Sequence, residues 1–107
     1  MTGTPRFLAA AALALALAAQ ARAADTAALW ERRCSPCHGK DGRADTAMGR
    51  RMKVRDLTNT TKSEAELAKD IADGVPERKM PAYQGKLSEA EIQALARFVK
   101  SGMKRAE

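Results

Sequence analysis

The five residues from Cys34 to His38, in the order CSPCH, contain both cysteines of the chain and its only histidine. Cysteine thiolates exchange disulfides and attack electrophiles. Cysteine sulfur and imidazole nitrogen both bind transition metals. Three kinds of chemistry therefore fit this pattern: a redox-active dithiol, part of a zinc site, or the covalent attachment of a haem. The rest of the chain has to distinguish among them.

The dithiol and the zinc site each require something that the sequence lacks. A Cys-x-x-Cys oxidoreductase site lies at a helix start beside a β-sheet, and no segment of this chain alternates with a convincing strand period. A structural zinc ion takes four ligands of the Cys or His type, and none remain beyond Cys34, Cys37 and His38. Both interpretations are disfavoured.

The pattern Cys-x-x-Cys-His is the attachment signature of c-type haem. In such sites the two thiols add to the two vinyl groups of the porphyrin, and the histidine that follows binds the iron from one face. Two intervening residues allow both thiols to reach one edge of the flat ring. We therefore predict one haem c, bound covalently through Cys34 and Cys37, with His38 as an iron ligand.

A ligand for the other face of the iron cannot be a second histidine of the same chain. The candidate thioethers are Met48, Met52, Met80 and Met103. Burying Met52 would draw its basic neighbours in RRMKVR toward a dry site, which carries a desolvation cost, and Met103 follows the predicted end of the last helix. Met80 precedes Pro81, which fixes φ and stiffens the loop. These observations favour Met80 and leave lysine, water or an open position as alternatives.

An apolar run, FLAAAALALALAA, covers residues 7–19 and is followed by QARAA. The basic Arg6, an apolar stretch within the roughly 7 to 15 residues of a signal h-region, and an A-x-A arrangement ending at Ala23 are typical of a secretory signal peptide. A spanning helix needs about 20 apolar residues, and polar residues interrupt this run too early. We predict a cleaved signal peptide, 1–23, and a mature domain, 24–107.

Helical patterns dominate the predicted mature chain. A first helix is expected from about Asp25 into the cysteine motif, with one face formed by Ala27, Trp30, Cys34 and Cys37. A second begins at Ser63 and a third at Ser88, each with a glutamate three residues later that completes a capping box. Gly74 and Gly102 are placed to end them. The predicted fold is all-α, with three main helices and long loops.

Composition limits the size of the core and the kind of partner. The predicted mature domain has only three aromatic residues, Trp30, Tyr83 and Phe98, and a domain this small seldom folds on such a core without a bound group. Without Arg6 and Arg22 the formal net charge of +6 falls to near +4. That charge is compatible with a partner that has an acidic surface, while basic residues interleaved with acidic ones do not suggest nucleic acid.

The order AALWERRCSPCHGKDG, then VRDL, then KMPAYQGKLSEAEIQALARFVKS resembles the class I c-type cytochromes, small monohaem electron carriers of bacterial periplasms and related compartments. The resemblance covers essentially all of residues 24–102. It implies a cytochrome c-like fold wrapped around one haem, with Met80, in the Met-Pro-Ala-aromatic loop, as the distal ligand.

The resemblance also implies a function. Iron with His38 on one face and Met80 on the other is closed to substrate, so we expect a soluble, monomeric, periplasmic carrier of single electrons and not an enzyme. Its redox protein partners would dock near Ser35, Pro36, Ala82 and Tyr83. An electron-accepting subunit of a larger dehydrogenase or oxidase is the alternative, followed by a ligand-binding or peroxidase protein with an open sixth site.

Two features of the sequence leave roles open. Many relatives carry a proline after the cysteine motif whose carbonyl accepts the second ring N–H of the histidine, and this chain has no proline between Cys37 and Val75. Ligating histidines nearly always donate that proton, and we predict the carbonyl of Ala47 or a neighbour as the acceptor. Haem propionates, an acidic partner or solvent would equally account for a set of basic residues, namely Arg50, Arg51, Lys53 and Arg55.

Overall fold

The computed structural model describes residues 5–103, and the side chains of residues 5–10, 18–21, 23 and 24 lie outside that description. The described residues form helices and no β-strand, in agreement with the predicted all-α class. The helices are α1 (Pro5–Arg33), α2 (Ser35–His38), α3 (Ala47–Met52), α4 (Glu64–Asp73) and α5 (Glu89–Lys100), with a short 3-10 turn (Pro76–Arg78) between α4 and α5.

Helix α1 begins at Pro5 and not near Asp25 as predicted. Between Pro5 and Arg33 the chain has no glycine and no further proline, and alanine and leucine are among the strongest helix formers, so the apolar segment and the following one form a single helix. The side chains of Arg6 and Ala23 are not described. The predicted cleavage after Ala23 stays a prediction. No helix in the described part of the chain combines the length and apolar character that crossing a membrane requires.

The two capped helices form as predicted. Ser63 and Ser88 each accept a hydrogen bond from the backbone N–H three residues later, and Glu66 and Glu91 bond back to the serine N–H groups. Helix α4 ends at Gly74. Helix α5 ends in a Schellman-type turn, in which the Met103 N–H donates to the Phe98 carbonyl at 2.8 Å and Gly102 has φ +81°.

The hydrophobic core lies where α5 packs against α4 and α1. Helix α5 contributes the most buried residues, with Leu95 and Ala96 fully buried, and Trp30 of α1 is only 3% exposed. The other buried members of the core are Ala27, Leu29, Leu67, Ala68, Ile71, Leu87, Ile92, Phe98 and Val99. Helix α2 packs between α1 and α3, so the cysteine motif sits at one edge of this core.

The cap of α5 makes a testable contribution to stability in acid. Hydrogen bonds from the backbone and side chain of Ser88 hold the pKa of Glu91 below its ordinary value. The ionised carboxylate therefore stabilises the fold above its unfolded pKa of about 4.3, and this contribution is lost as the pH falls through the lower folded pKa.

We expect Glu91→Gln to destabilise the protein near neutral pH and the difference from wild type to shrink as the pH falls below about 4. Urea unfolding across this range measures it. Glu89→Gln, which alters a first-turn carboxylate that does not bond to the Ser88 N–H, is the control. A constant difference between Glu91→Gln and wild type over the whole pH range would contradict the expectation.

Candidate functional site

A break between α1 and α2 places both cysteines and the histidine on one tight turn. Cys34 lies between the two helices, and its carbonyl accepts hydrogen bonds from Cys37 N–H at 3.2 Å and His38 N–H at 2.9 Å. Both cysteines are free thiols and half-buried. The predicted shared face of Ala27, Trp30 and Cys34 packs on the core, whereas Cys37 belongs to the new turn.

Burial sets the protonation of this turn. Desolvation, followed by the neighbouring Cys37, raises the pKa of the Cys34 thiol to about 12, so Cys34 is protonated at neutral pH. Burial lowers the pKa of His38, which leaves the imidazole neutral and a ring nitrogen lone pair available for a metal.

The His38 side chain lies beside the indole of Trp30, with ring centroids 5.9 Å apart and planes tilted by 36°. The Trp30 Nε1–H donates to the carbonyl of Gly39 at 3.1 Å, and the His38 carbonyl accepts from Ala44 N–H at 2.7 Å. His38 Nδ1 is buried, and no group among residues 5–103 pairs with it. The predicted bond to the carbonyl of Ala47 or a neighbour is therefore wrong for this structure, and Ala47 itself lies in α3, where carbonyls point along the helix axis to the next turn.

Helix α3, which the sequence patterns did not reveal, packs against the turn that carries the cysteines and His38. Its cap, Thr46, donates from Oγ1 toward the carbonyls of Pro36 at 2.9 Å and Cys37 at 3.2 Å, and accepts from Gly49 N–H at 2.8 Å. A Cβ on Gly49 would lie 2.4 Å from the Cys37 carbonyl oxygen, so only glycine permits this approach. The local sequence signal for this helix is Thr46 as a possible N-cap three residues before Gly49, and such a signal is weak.

The loop that carries Met80 is bonded to the end of α4. Val75 and Met80 exchange two backbone hydrogen bonds, at 2.9 and 3.1 Å. Tyr83 N–H and Gln84 N–H donate to the Ile71 and Ala72 carbonyls at 3.0 and 3.1 Å. Those carbonyls belong to the last turn of a helix, where intrahelical donors run out, so the loop completes the hydrogen bonding of α4 and is fixed by it.

Two further contacts hold this loop against its neighbours. Gly74, at φ +72°, lies so close beneath the loop that a Cβ would be 2.7 Å from both the Met80 carbonyl oxygen and the Ala82 nitrogen. The Tyr83 hydroxyl donates to the carbonyl of Arg33, one residue before Cys34, at 3.3 Å. The Met80 loop is thereby tied to the helix that leads into the cysteine motif.

The four candidate methionines occupy different surroundings. Met80 and Met103 are partly buried and pack against the core, whereas Met48 is 41% exposed. Met103 packs against Gly42 in the loop that follows His38, and Met80 comes from the separate loop after α4. Met52 is half-buried while its basic neighbours stay exposed, so the desolvation argument used against it does not apply.

The remaining predicted surface residues lie in solvent or at its edge. Ser35 and Tyr83 are half-buried, and Pro36 and Ala82 are exposed. Arg50 pairs with Asp45, and the other basic residues of the set are exposed, namely Arg51, Lys53 and Arg55. Within the described residues, no group of three or more His, Cys, Asp or Glu side chains is arranged to hold a metal ion, as zinc would require.

The donor set suits the predicted haem c. Two free thiols lie on one turn, a neutral imidazole follows directly, and a partly buried thioether sits on a loop bonded to a neighbouring helix. Imidazole nitrogen and thioether sulfur are both established haem-iron ligands.

The chain matches a protein-family model over most of its length. Residues 21–99 match the family model described as Cytochrome C oxidase, cbb3-type, subunit III. The matched segment is well over half of the chain and includes both the cysteine turn and the Met80 loop.

Gly74 offers a test of the packing beneath the Met80 loop, with Gly85 as a matched control. Both glycines have positive φ, but a Cβ on Gly85 meets no atom within 4 Å. Gly85→Ala should cost only the left-handed backbone penalty, about 1–2 kcal/mol. Gly74→Ala should cost about 1–3 kcal/mol more, because its backbone, at φ 72° and ψ 177°, lies in a region that is essentially restricted to glycine and because the methyl group must displace the loop backbone. Denaturant unfolding of the two variants measures the difference, and equal losses would contradict the described packing.

Proposed function

The chain belongs to the c-type cytochrome family whose model is described as cytochrome c oxidase, cbb3-type, subunit III, and from this membership we propose that it is a soluble, monomeric carrier of single electrons. The family implies haem c as the cofactor and haem-based electron transfer as the activity. The observation that carries the proposal is the turn on which two free thiols are followed directly by a neutral imidazole.

Each site residue has a role in this proposal. Cys34 and Cys37 would hold one haem covalently, and His38 and Met80 would bind its iron from opposite faces. When bound, the haem supplies an iron centre that changes its oxidation state by one electron. The tightly bonded turn around Cys34 and the loop bonded to α4 hold the donor atoms in place, so little rearrangement accompanies the change of charge.

The thioether of Met80 decides what the site can do. A soft sulfur ligand favours Fe(II) and raises the reduction potential. The bonds of the Met80 loop to Val75, Ile71 and Ala72, with the Gly74 contact beneath it, resist its displacement by an outside ligand. If His38 and Met80 both bound the iron, the site would be suited to passing electrons and poorly suited to ligand binding or peroxide chemistry.

A small exposed patch would meet the redox partners. Ser35 and Pro36 lie on the cysteine turn, Ala82 and Tyr83 on the Met80 loop, and the Tyr83 hydroxyl joins the two segments. Interfaces of redox encounters are typically below about 1,200 Å², so a patch of a few residues would be enough for a brief contact. The exposed Arg51, Lys53 and Arg55 would attract an acidic partner from further away.

The family description supports a second candidate function, that of an electron-accepting subunit bound to a larger oxidase. Both functions use the same site and differ in whether the chain works alone. With the predicted signal peptide, 1–23, either form would be exported to the periplasm. Copurification from native membranes distinguishes them, since a free carrier is recovered as a monomer and a subunit is recovered with its complex.

Absorption spectra after expression with haem-attachment machinery test the proposal. We expect covalent haem in the wild-type protein and a red-region sulfur-to-iron charge-transfer band in the oxidised state. Met80→Ala should abolish that band and allow exogenous imidazole to bind. Met103→Ala, which removes the other core-packed thioether, should retain the band.

Two results would contradict this account. A wild-type protein without covalent haem would remove the proposed function altogether. Retention of the charge-transfer band by Met80→Ala, with its loss in Met103→Ala or Met52→Ala, would transfer the ligand role to another methionine.

A further inference from the structure

The indole of Trp30 touches the site at two points. Its ring lies 5.9 Å from the His38 ring between centroids, and its Nε1–H donates to the carbonyl of Gly39, the residue directly after His38, at 3.1 Å. The Trp30 backbone carbonyl also accepts the N–H of Cys34 at 2.9 Å. One residue of α1 therefore contacts the start, the ring and the end of the cysteine–histidine turn.

The orientation of Trp30 is itself fixed by the core. Trp30 is 3% exposed, and its ring packs on Phe98 of α5 with centroids 5.7 Å apart and planes tilted by 54°. The indole cannot turn away from His38 without breaking the bond to Gly39 or the contact with Phe98. The contact with Phe98 of α5 thus fixes the position of the indole beside His38.

The described part of the chain gives His38 no protein partner for the bond that usually fixes a ligating imidazole. In most metal-binding histidines the second ring nitrogen donates to a carboxylate, a carbonyl or water, which fixes the rotation of the ring. Within residues 5–103, no group pairs with His38 Nδ1. The ring that the structure places beside the imidazole is the indole of Trp30.

We propose that Trp30 is the positioning residue for His38, and that it sets the plane of the imidazole by packing against the ring and by holding the Gly39 carbonyl. This inference rests on the proposed function, since it concerns His38 as an iron ligand. Gly39, at φ +80°, is bonded at its N–H to the Ser35 carbonyl at 2.8 Å, so the indole bond completes the fixation of the backbone next to the ligand.

Two substitutions separate the packing of the indole on His38 from its bond to the Gly39 carbonyl. Trp30→Phe keeps an aromatic ring and removes the N–H that bonds to Gly39, whereas Trp30→Leu removes both the ring face and the bond. The plane of an axial imidazole determines how unpaired electron density spreads over an oxidised haem, so the proton shifts of the four haem methyl groups report it in NMR spectra.

We expect Trp30→Leu to change the order or spread of the four haem methyl shifts and to move the reduction potential. Trp30→Phe should change the shifts in the same direction but by less, because the phenyl ring keeps part of the packing against His38. Because Met80 comes from another loop, the charge-transfer band of the sulfur ligand should persist in both variants.

Leu95→Ala is the matched control. Leu95 is fully buried in α5, so its truncation loosens the same core while the indole of Trp30 stays in place. We expect the haem methyl pattern of Leu95→Ala to remain that of the wild type, although the variant unfolds at lower denaturant concentration.

The outcomes distinguish this inference from the proposed function. Wild-type methyl shifts in both Trp30 variants, or an equal change in Leu95→Ala, would overturn the positioning role alone. If Trp30→Leu does not fold, unchanged shifts in Trp30→Phe together with an unchanged potential would overturn it as well. Lack of covalent haem in the wild-type protein would overturn the proposed function and, with it, this inference.

Discussion

The packing of Trp30 between Phe98 and His38 connects the hydrophobic core to the chemistry. Helix α5 supplies more of the buried core than any other helix, and its Phe98 packs on the indole in the last turn of α1. Because burial around this contact removes water from His38 and Cys34, it also sets their protonation states. The same packing that stabilises the fold therefore prepares a neutral nitrogen donor and a protonated thiol.

The second half of the site is positioned in a different way. Met80 lies on a loop without regular structure, but the loop N–H groups bond to carbonyls at the end of α4 that would otherwise lack donors. Gly74 allows the loop backbone to lie against the helix end, and Tyr83 links it to Arg33 of α1. A long loop in a small domain is thus held in one conformation by the ends of two helices. Its rigidity suits a ligand that must stay bound in both oxidation states.

Local sequence patterns predicted the capped helices and the all-α class. The features that they missed depend on contacts between distant residues or on helix propensity that continues past the predicted start. The capping boxes at Ser63 and Ser88 are signals contained within a few residues, so they were recognised correctly. The cysteine motif is equally local, and the roles of Cys34, Cys37 and His38 in holding a haem stay predictions. The start of α1 was wrong because helix propensity continues without interruption through the predicted signal segment. Helix α3 was missed because its six residues have no apolar period, and its role depends on Thr46 reaching Pro36 and Cys37. The surroundings of His38 Nδ1 were likewise a matter of tertiary contacts that no spacing encodes.

The ligand set of the iron is the assignment on which the electron-transfer account depends, and X-ray absorption at the iron edge measures it directly in solution. The account predicts that the first shell contains one sulfur atom among nitrogen ligands, in the oxidised and in the reduced protein alike, and that the metal–ligand distances change little between the two states. A first shell made only of nitrogen or oxygen atoms, or a sulfur ligand that is lost on oxidation, would contradict it.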